Sequence, residues 1–190
     1  MSDTRDSEQS GTDFPRERAA RLNARLETAV LILEPLEARH ADALFPGLAD
    51  ARIYRWIAVR ELPQREQERA RWQALESRLS PDGKFARLNW AVMRVDGTYV
   101  GRFDVEVDQN SNATNVGFVL LPDSWGRGYA TQALTALLDH LTQHGIRSFT
   151  ATAASPNAAS RRVLEKAGFE AVGMSTEEED TVVYRRPGSL

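Results

Sequence analysis

The chain contains no cysteine. That absence excludes disulfides, thiolate metal sites and any reaction passing through a cysteine acyl-enzyme. Histidine is almost as scarce. His40, His140 and His144 show no ligand spacing of the HExxH kind, which argues against a zinc hydrolase and predicts no metal. Lysine is confined to Lys84 and Lys166, so nearly all of the 24 basic residues are arginine. No run approaches the ~20 apolar residues of a membrane span. Met1 to Gly11 is polar, so no secretory leader and a cytoplasmic location are expected. A dominant charge is also missing: 24 basic against 27 acidic residues leave a formal charge of −3. A nucleic-acid surface held by bulk charge is therefore not expected.

What is present is a chain of 190 residues, 42% apolar and 27% charged, enough for one packed domain with a tail. Residues 1–28 read as a polar extension, with weak amphipathicity between Pro15 and Thr28 that fits a short helix. Residues 29–186 read as the domain and 187–190 as a tail. Ala29 to Leu33 has strand character. His40 to Leu48 reads as a helix, and Gln64 to Leu79, after Pro63, as a second helix with a solvated, mixed-charge face.

The middle of the chain reads as an antiparallel meander. Leu88 to Val95 leads into Asp96-Gly97, a hairpin signal, and then Tyr99 to Val107. A polar cluster, Asp108 to Asn112, separates this from Asn115 to Leu121, which stops at Pro122. The period then changes. Ala130, Ala133, Leu134, Leu137, Leu138 and Leu141 mark one face of a long helix closed by Gly145. Ile146 to Ala153 reads as a strand. Asn157 caps a helix ending at Gly168, and Val172 to Met174 and Thr181 to Tyr184 close the chain around an acidic turn. The expected fold is mixed α/β (α+β) around one core.

The segment richest in chemistry is Val116 to Ala130, where a strand enters a glycine turn that opens the long helix. Such a turn leaves backbone N–H groups facing outward at a helix N-terminus, a setting that favours a phosphate. Gly126 and Gly128 clear space for a pyrophosphate, and Arg127 adds a cation. A tight turn with no ligand would use the same glycines. Other phosphate motifs fit less well. GxxxxGK[ST] is absent, and the third small residue of a GxGxxG fingerprint is missing after Gly126-Arg127-Gly128.

Trp125-Gly126-Arg127-Gly128-Tyr129-Ala130-Thr131, then Asn157-Ala158-Ala159-Ser160, then Leu164 to Phe169, resemble the GNAT superfamily of N-acetyltransferases. The pattern is most similar to its ribosomal-protein N-terminal acetyltransferase-like branch (RimJ/RimL type), and it covers about residues 29 to 186. The resemblance implies a mostly antiparallel central sheet flanked by helices, acetyl-CoA as donor and a primary amine as acceptor. It places the pyrophosphate on the amides of Gly126 to Ala130, within a cofactor set that runs from Trp125 to Thr131. It assigns the pantetheine arm to the backbone of Phe118, Val119 and Leu120, and a further cofactor contact to Asn157. Asn157 as a plain helix cap is compatible with that role. Ser160 matches a hydroxyl that could protonate the leaving thiolate; a helix-surface serine is the other reading.

Many relatives carry a glutamate base where this chain has Asn115, which cannot take a proton at neutral pH. Without cysteine, the simplest route is direct attack of a neutral amine on the thioester, with an oxyanion held by backbone donors near Val119. The base stays open among Asp104, Glu106 and the run Glu177 to Asp180, while Asn115 could hold a relaying water. Arg52 and Arg55, with Tyr54 and Trp56, fall in the expected acceptor region; these arginines suit an acceptor carboxylate, the acidic run a cation. Asn115 also keeps open a rival function, a CoA-binding module without turnover. Exposed sheet edges are compatible with a homodimer.

Overall fold

The computed structural model describes residues 13–57 and 64–188. The polar start Met1–Gly11, Pro63 and the last two residues of the expected tail lie outside the described residues. Five helices are present among them: α1 (Arg16–Leu22), α2 (Ala41–Leu48), α3 (Arg65–Leu75), α4 (Tyr129–Gln143) and α5 (Ala158–Lys166). The strands are β1 (Leu26–Glu27), β2 (Leu31–Pro35), β3 (Ala86–Arg94), β4 (Tyr99–Val107), β5 (Asn112–Leu120), β6 (Ser148–Ala154), β7 (Glu170–Met174) and β8 (Thr181–Pro187). They form one sheet in the order β1-β2-β3-β4-β5-β6-β8-β7, antiparallel except for β5 beside β6. This is the mixed, mostly antiparallel sheet flanked by helices that the sequence implied.

Local chemistry explains most boundaries. At the β3–β4 hairpin Gly97 adopts φ +86°, and its N–H donates to Arg94 O at 2.9 Å. Helix α4 buries Ala133, Leu134, Leu137, Leu138 and Leu141, the stripe set by the 3.6-residue period, and ends at Gly145 with φ +85°. Helix α5 starts on Asn157, whose Oδ1 accepts from the Ser160 N–H at 3.1 Å.

The sheet has two unlike faces. One carries the larger core, in which Leu31, Leu33, Leu88, Trp90, Phe103 and Val105 meet α1 and the α4 stripe. On the other, α2, α3 and the 3-10 turn Ala51–Arg55 cover a smaller cluster of Leu36, Leu44, Leu48, Ile53, Trp72 and Ala91.

The boundary expected at residue 29 falls inside the folded unit. Phe14, Ala19 and Leu22 are buried in the larger core. Trp90 Nε1 donates to Ala24 O at 2.9 Å, Asn23 Nδ2 to Asn89 O at 3.0 Å, and His140 Nε2 lies 3.0 Å from Leu22 O. The helix read as weakly amphipathic needs only Ala19 and Leu22, one turn apart, plus Phe14 ahead of it to dock. Two short elements had no sequence signal, β1 and the 3-10 turn at residues 51–55.

Candidate active site

Strand β5 is the axis of the site. It pairs with β6 only through Asn112↔Ser148 and Ala113↔Phe149, after which no pairing between the two strands is recorded. On its other edge β5 follows β4 to the end of the strand, with Arg102↔Val119 and Gly101↔Leu120 in register. The Leu121 N–H donates to Val100 O at 2.9 Å, which fixes the alternation. Val119 and Gly117 therefore turn their backbone groups toward β4, and Phe118 and Leu120 turn theirs into the gap beside β6. By this alternation the Val119 N–H faces β4, and the N–H groups free toward the gap are those of its neighbours. The close fit of β4 to β5 depends on Gly101, where a Cβ would lie 2.2 Å from Val119 O.

The gap opens where β5 bulges. Asp104 pairs with Gly117 but Glu106 with Thr114, so β5 holds one extra residue there, and Asn115 adopts φ +52°. Asn115 is exposed, and its Nδ2 donates to Glu106 Oε2 at 3.2 Å, while Arg87 Nε donates to Glu106 Oε1 at 3.0 Å.

Beyond Leu120 the chain makes the turn Pro122–Ser124 and reaches the glycine loop. Gly126 and Gly128 take φ +73° and +79°, a left-handed pair that only glycine adopts cheaply, on either side of Arg127. The first helical bond runs from the Gln132 N–H to Gly128 O at 3.1 Å. The amides of Tyr129, Ala130 and Thr131 thus have no intrahelical acceptor. Those of Gly126, Arg127 and Gly128 take no part in the turn's bonds, which run from Ser124 to Leu121 O and from Trp125 to Pro122 O. Consecutive outward amides at a helix N-terminus form an anion nest. Trp125 closes the corner between loop and strand: its Nε1 donates to Leu120 O at 2.7 Å, and the residue is 46% exposed with the Arg52 guanidinium 5.9 Å from the ring centroid.

Asn157 and Ser160 are joined. Asn157 Nδ2 donates to Ser160 Oγ at 3.0 Å while Asn157 Oδ1 takes the Ser160 N–H. The Ser160 oxygen accepts, so its own proton is left to donate elsewhere. Arg52 and Arg55 point to other partners than an acceptor. Arg52 forks onto Asp50, whose carboxyl it holds down to about 2, and Arg55 lies 4.7 Å from the centre of the Trp56 ring.

Sequence reasoning missed a polar network under α2. His40, 1% exposed, accepts the Glu37 N–H on Nδ1 at 2.8 Å, which leaves its proton on Nε2, 2.8 Å from Glu34 Oε1. Tyr99 OH donates to the same Glu34 oxygen at 2.9 Å. Burial pushes the Glu34 carboxyl up, but hydrogen bonds from His40 and Tyr99 and the charge of Arg39 outweigh it and hold it below its ordinary value. Burial, and then the bond to Glu34, push the Tyr99 hydroxyl up to about 12. A Glu, a His and a Tyr spread over sixty-odd positions carry no joint sequence signal.

A gap along a half-freed strand, ending in a nest of amides, is the arrangement that the resemblance to N-acetyltransferases implied. This is the architecture of an acyl-transfer enzyme. The chain belongs to the acetyltransferase (GNAT) domain family, whose model matches residues 30–170. It is 23% identical over 159 residues to the N-acetyltransferase YoaA of Bacillus subtilis (strain 168), covering 78% of this chain and 84% of that protein. Two of the solved structures that share the fold illustrate the likeness. A GNAT-family acetyltransferase from Bacillus anthracis aligns with a TM-score of 0.71 at 18% identity, over 86% of this chain and 98% of its own. RimJ of Mycobacterium smegmatis, solved with CoA-disulfide, aligns with a TM-score of 0.72 at 20% identity, over 83% and 81%. Among the described residues no cluster of metal-ligating side chains occurs, and no helix is long and apolar enough to cross a membrane.

Proposed function

We propose that this enzyme moves the acetyl group of acetyl-CoA to a primary amine, a small molecule or a protein N-terminus, by direct attack with both substrates bound. The carrying observation is the run of amides from Gly126 to Thr131 at the end of a strand freed on one edge. In this reading those amides, with Arg127, hold the pyrophosphate. The backbones of Phe118 and Leu120 pair with the pantetheine arm, Val119 keeps β5 on β4, and the cleft-facing N–H groups stabilise the oxyanion. Trp125 covers the corner through Leu120 O. Asn157 caps α5 and aims Ser160, whose free proton suits it to the leaving sulfur. Asn115 sits at the bulge, bound to Glu106, as the holder of a relaying water. The resemblance to the ribosomal-protein N-terminal acetyltransferase-like branch favours an acceptor of the protein N-terminal kind.

The test is a thermal melt with acetyl-CoA, CoA, ATP and NAD in parallel. A ligand at 100 times its dissociation constant adds about 2.7 kcal/mol, roughly 5–10 °C for a chain of this size. A rise with the CoA pair alone is expected. No rise with either sinks the reading, and a rise without thiol release on any amine favours the non-catalytic CoA-binding module.

A further inference from the structure

We propose that Asp104 binds the acceptor as an ammonium ion and takes its proton, which makes it the catalytic residue among the carboxylates the sequence left open. The proposal rests on the acetyl-transfer reading and deepens it.

Asp104 and Gly117 face each other across β4 and β5. A Cβ on Gly117 would lie 2.6 Å from Asp104 Oδ2 and 3.2 Å from its Cγ. The carboxylate therefore lies against the β5 backbone itself, one residue before Phe118, where the strand turns its polar groups into the cleft. Any larger residue at position 117 would push it away. Arg102 Nη1 donates to Oδ1 at 2.9 Å and fixes the plane of the group. Oδ2 has no hydrogen-bond partner among the described residues, and the side chain is 39% exposed. It stands on the face covered by α2, α3 and the 3-10 turn, where Tyr54 is close enough to feel the charges of Glu68 and Arg102.

The other acids are worse placed. Both Glu106 oxygens are engaged, by Arg87 and Asn115, and it sits beyond the bulge. Glu177 to Asp180 are exposed in the β7–β8 turn. Asn115 has no basic atom to offer.

The step balances without a further reagent. Asp104 Oδ2 takes one proton from R–NH3+, and the freed nitrogen lone pair attacks the thioester carbonyl carbon. The C–N bond forms and the C–S bond breaks, with the electron pair leaving on sulfur. The nitrogen's surplus proton ends on the thiol, and protonated Asp104 returns its proton to water.

The experiment compares wild type with Asp104→Asn at pH 7 in a thiol-release assay with acetyl-CoA, above the no-enzyme background. Two probes are used: propylamine, almost wholly protonated at that pH, and methoxyamine, almost wholly neutral. Asp104→Asn is expected to lose on the order of 10²-fold in kcat/KM with propylamine, with methoxyamine nearly unaffected. Equal losses with both probes, or no loss, overturn the proposal. So does a wild type that uses neither probe; if acetyl-CoA still raises its melting temperature, the acetyl-transfer reading survives that failure. Gly117→Ala, which keeps the carboxylate but displaces it, is expected to reproduce the selective loss, and an unchanged propylamine rate there also counts against Asp104.

Discussion

The two faces of the sheet divide the work of the molecule. Toward α1 and α4, strands β2 to β6 and β8 contribute buried aliphatic and aromatic side chains to a continuous apolar layer, while every residue of β7 is exposed. Toward α2 and α3, β3 and β4 present Arg87, Arg102, Asp104 and Glu106, and the apolar cluster is small. Alternation along β4 makes this possible: Phe103 and Val105 point into the large core while Arg102, Asp104 and Glu106 point away from it. Stability concentrated on one face leaves the other free to hold charged groups in arrangements that are poor for packing and useful for chemistry.

The largest test of this division is Trp90→Ala in the apolar layer. It should cost about 3–5 kcal/mol, read by denaturant unfolding, and leave the kcat of the folded fraction near wild type. Phe14→Ala should behave alike, with a loss of about 3–5 kcal/mol; a loss near zero would return residues 14–28 to the status of a loose extension. On the opposite face Tyr99→Phe removes a bond to a carboxylate and should cost about 1.5–3 kcal/mol. A cost as large as that of Trp90→Ala would erase the contrast between the faces.

The smallest effects are in pH. The Tyr99 hydroxyl is raised to about 12, so the stability it contributes is whole below its unfolded value of 10.0 and fades as pH climbs toward 12. Glu34 is lowered from 4.5, so its contribution is present above that value and fades as pH falls through the folded one. Melting curves across both ranges should slope in the wild type. In Tyr99→Phe the alkaline slope should flatten, and Trp90→Ala should leave both slopes in place.

The apolar face was largely legible in the sequence. The α4 stripe has one period over six positions, the hairpin has its Asp-Gly, and Asn157 and Gly168 mark the ends of α5. Local rules decide such features. The glycine loop was legible for the same reason, since its left-handed turns need glycine at 126 and 128. The polar face was not. Whether Asp104 meets Gly117 depends on the register of two strands and on a bulge at Asn115, a residue whose positive φ nothing local requires. The Glu34–His40–Tyr99 network joins a strand, a turn and a second strand. The docking of α1 was hidden because two apolar positions and one preceding phenylalanine make a weak pattern until the sheet supplies the surface they cover.

Trp125 has an optical consequence. Of the four tryptophans, Trp72 and Trp90 are buried, while Trp56 and Trp125 are exposed. The Trp125 indole is tethered to Leu120 O, at the corner where the freed strand meets the amide nest. Filling the cleft would change the water around that ring and its emission wavelength. In a Trp56→Phe background, Trp125 becomes the single exposed tryptophan of the protein. Cofactor arrival and departure could then be timed by stopped-flow fluorescence without any attached label.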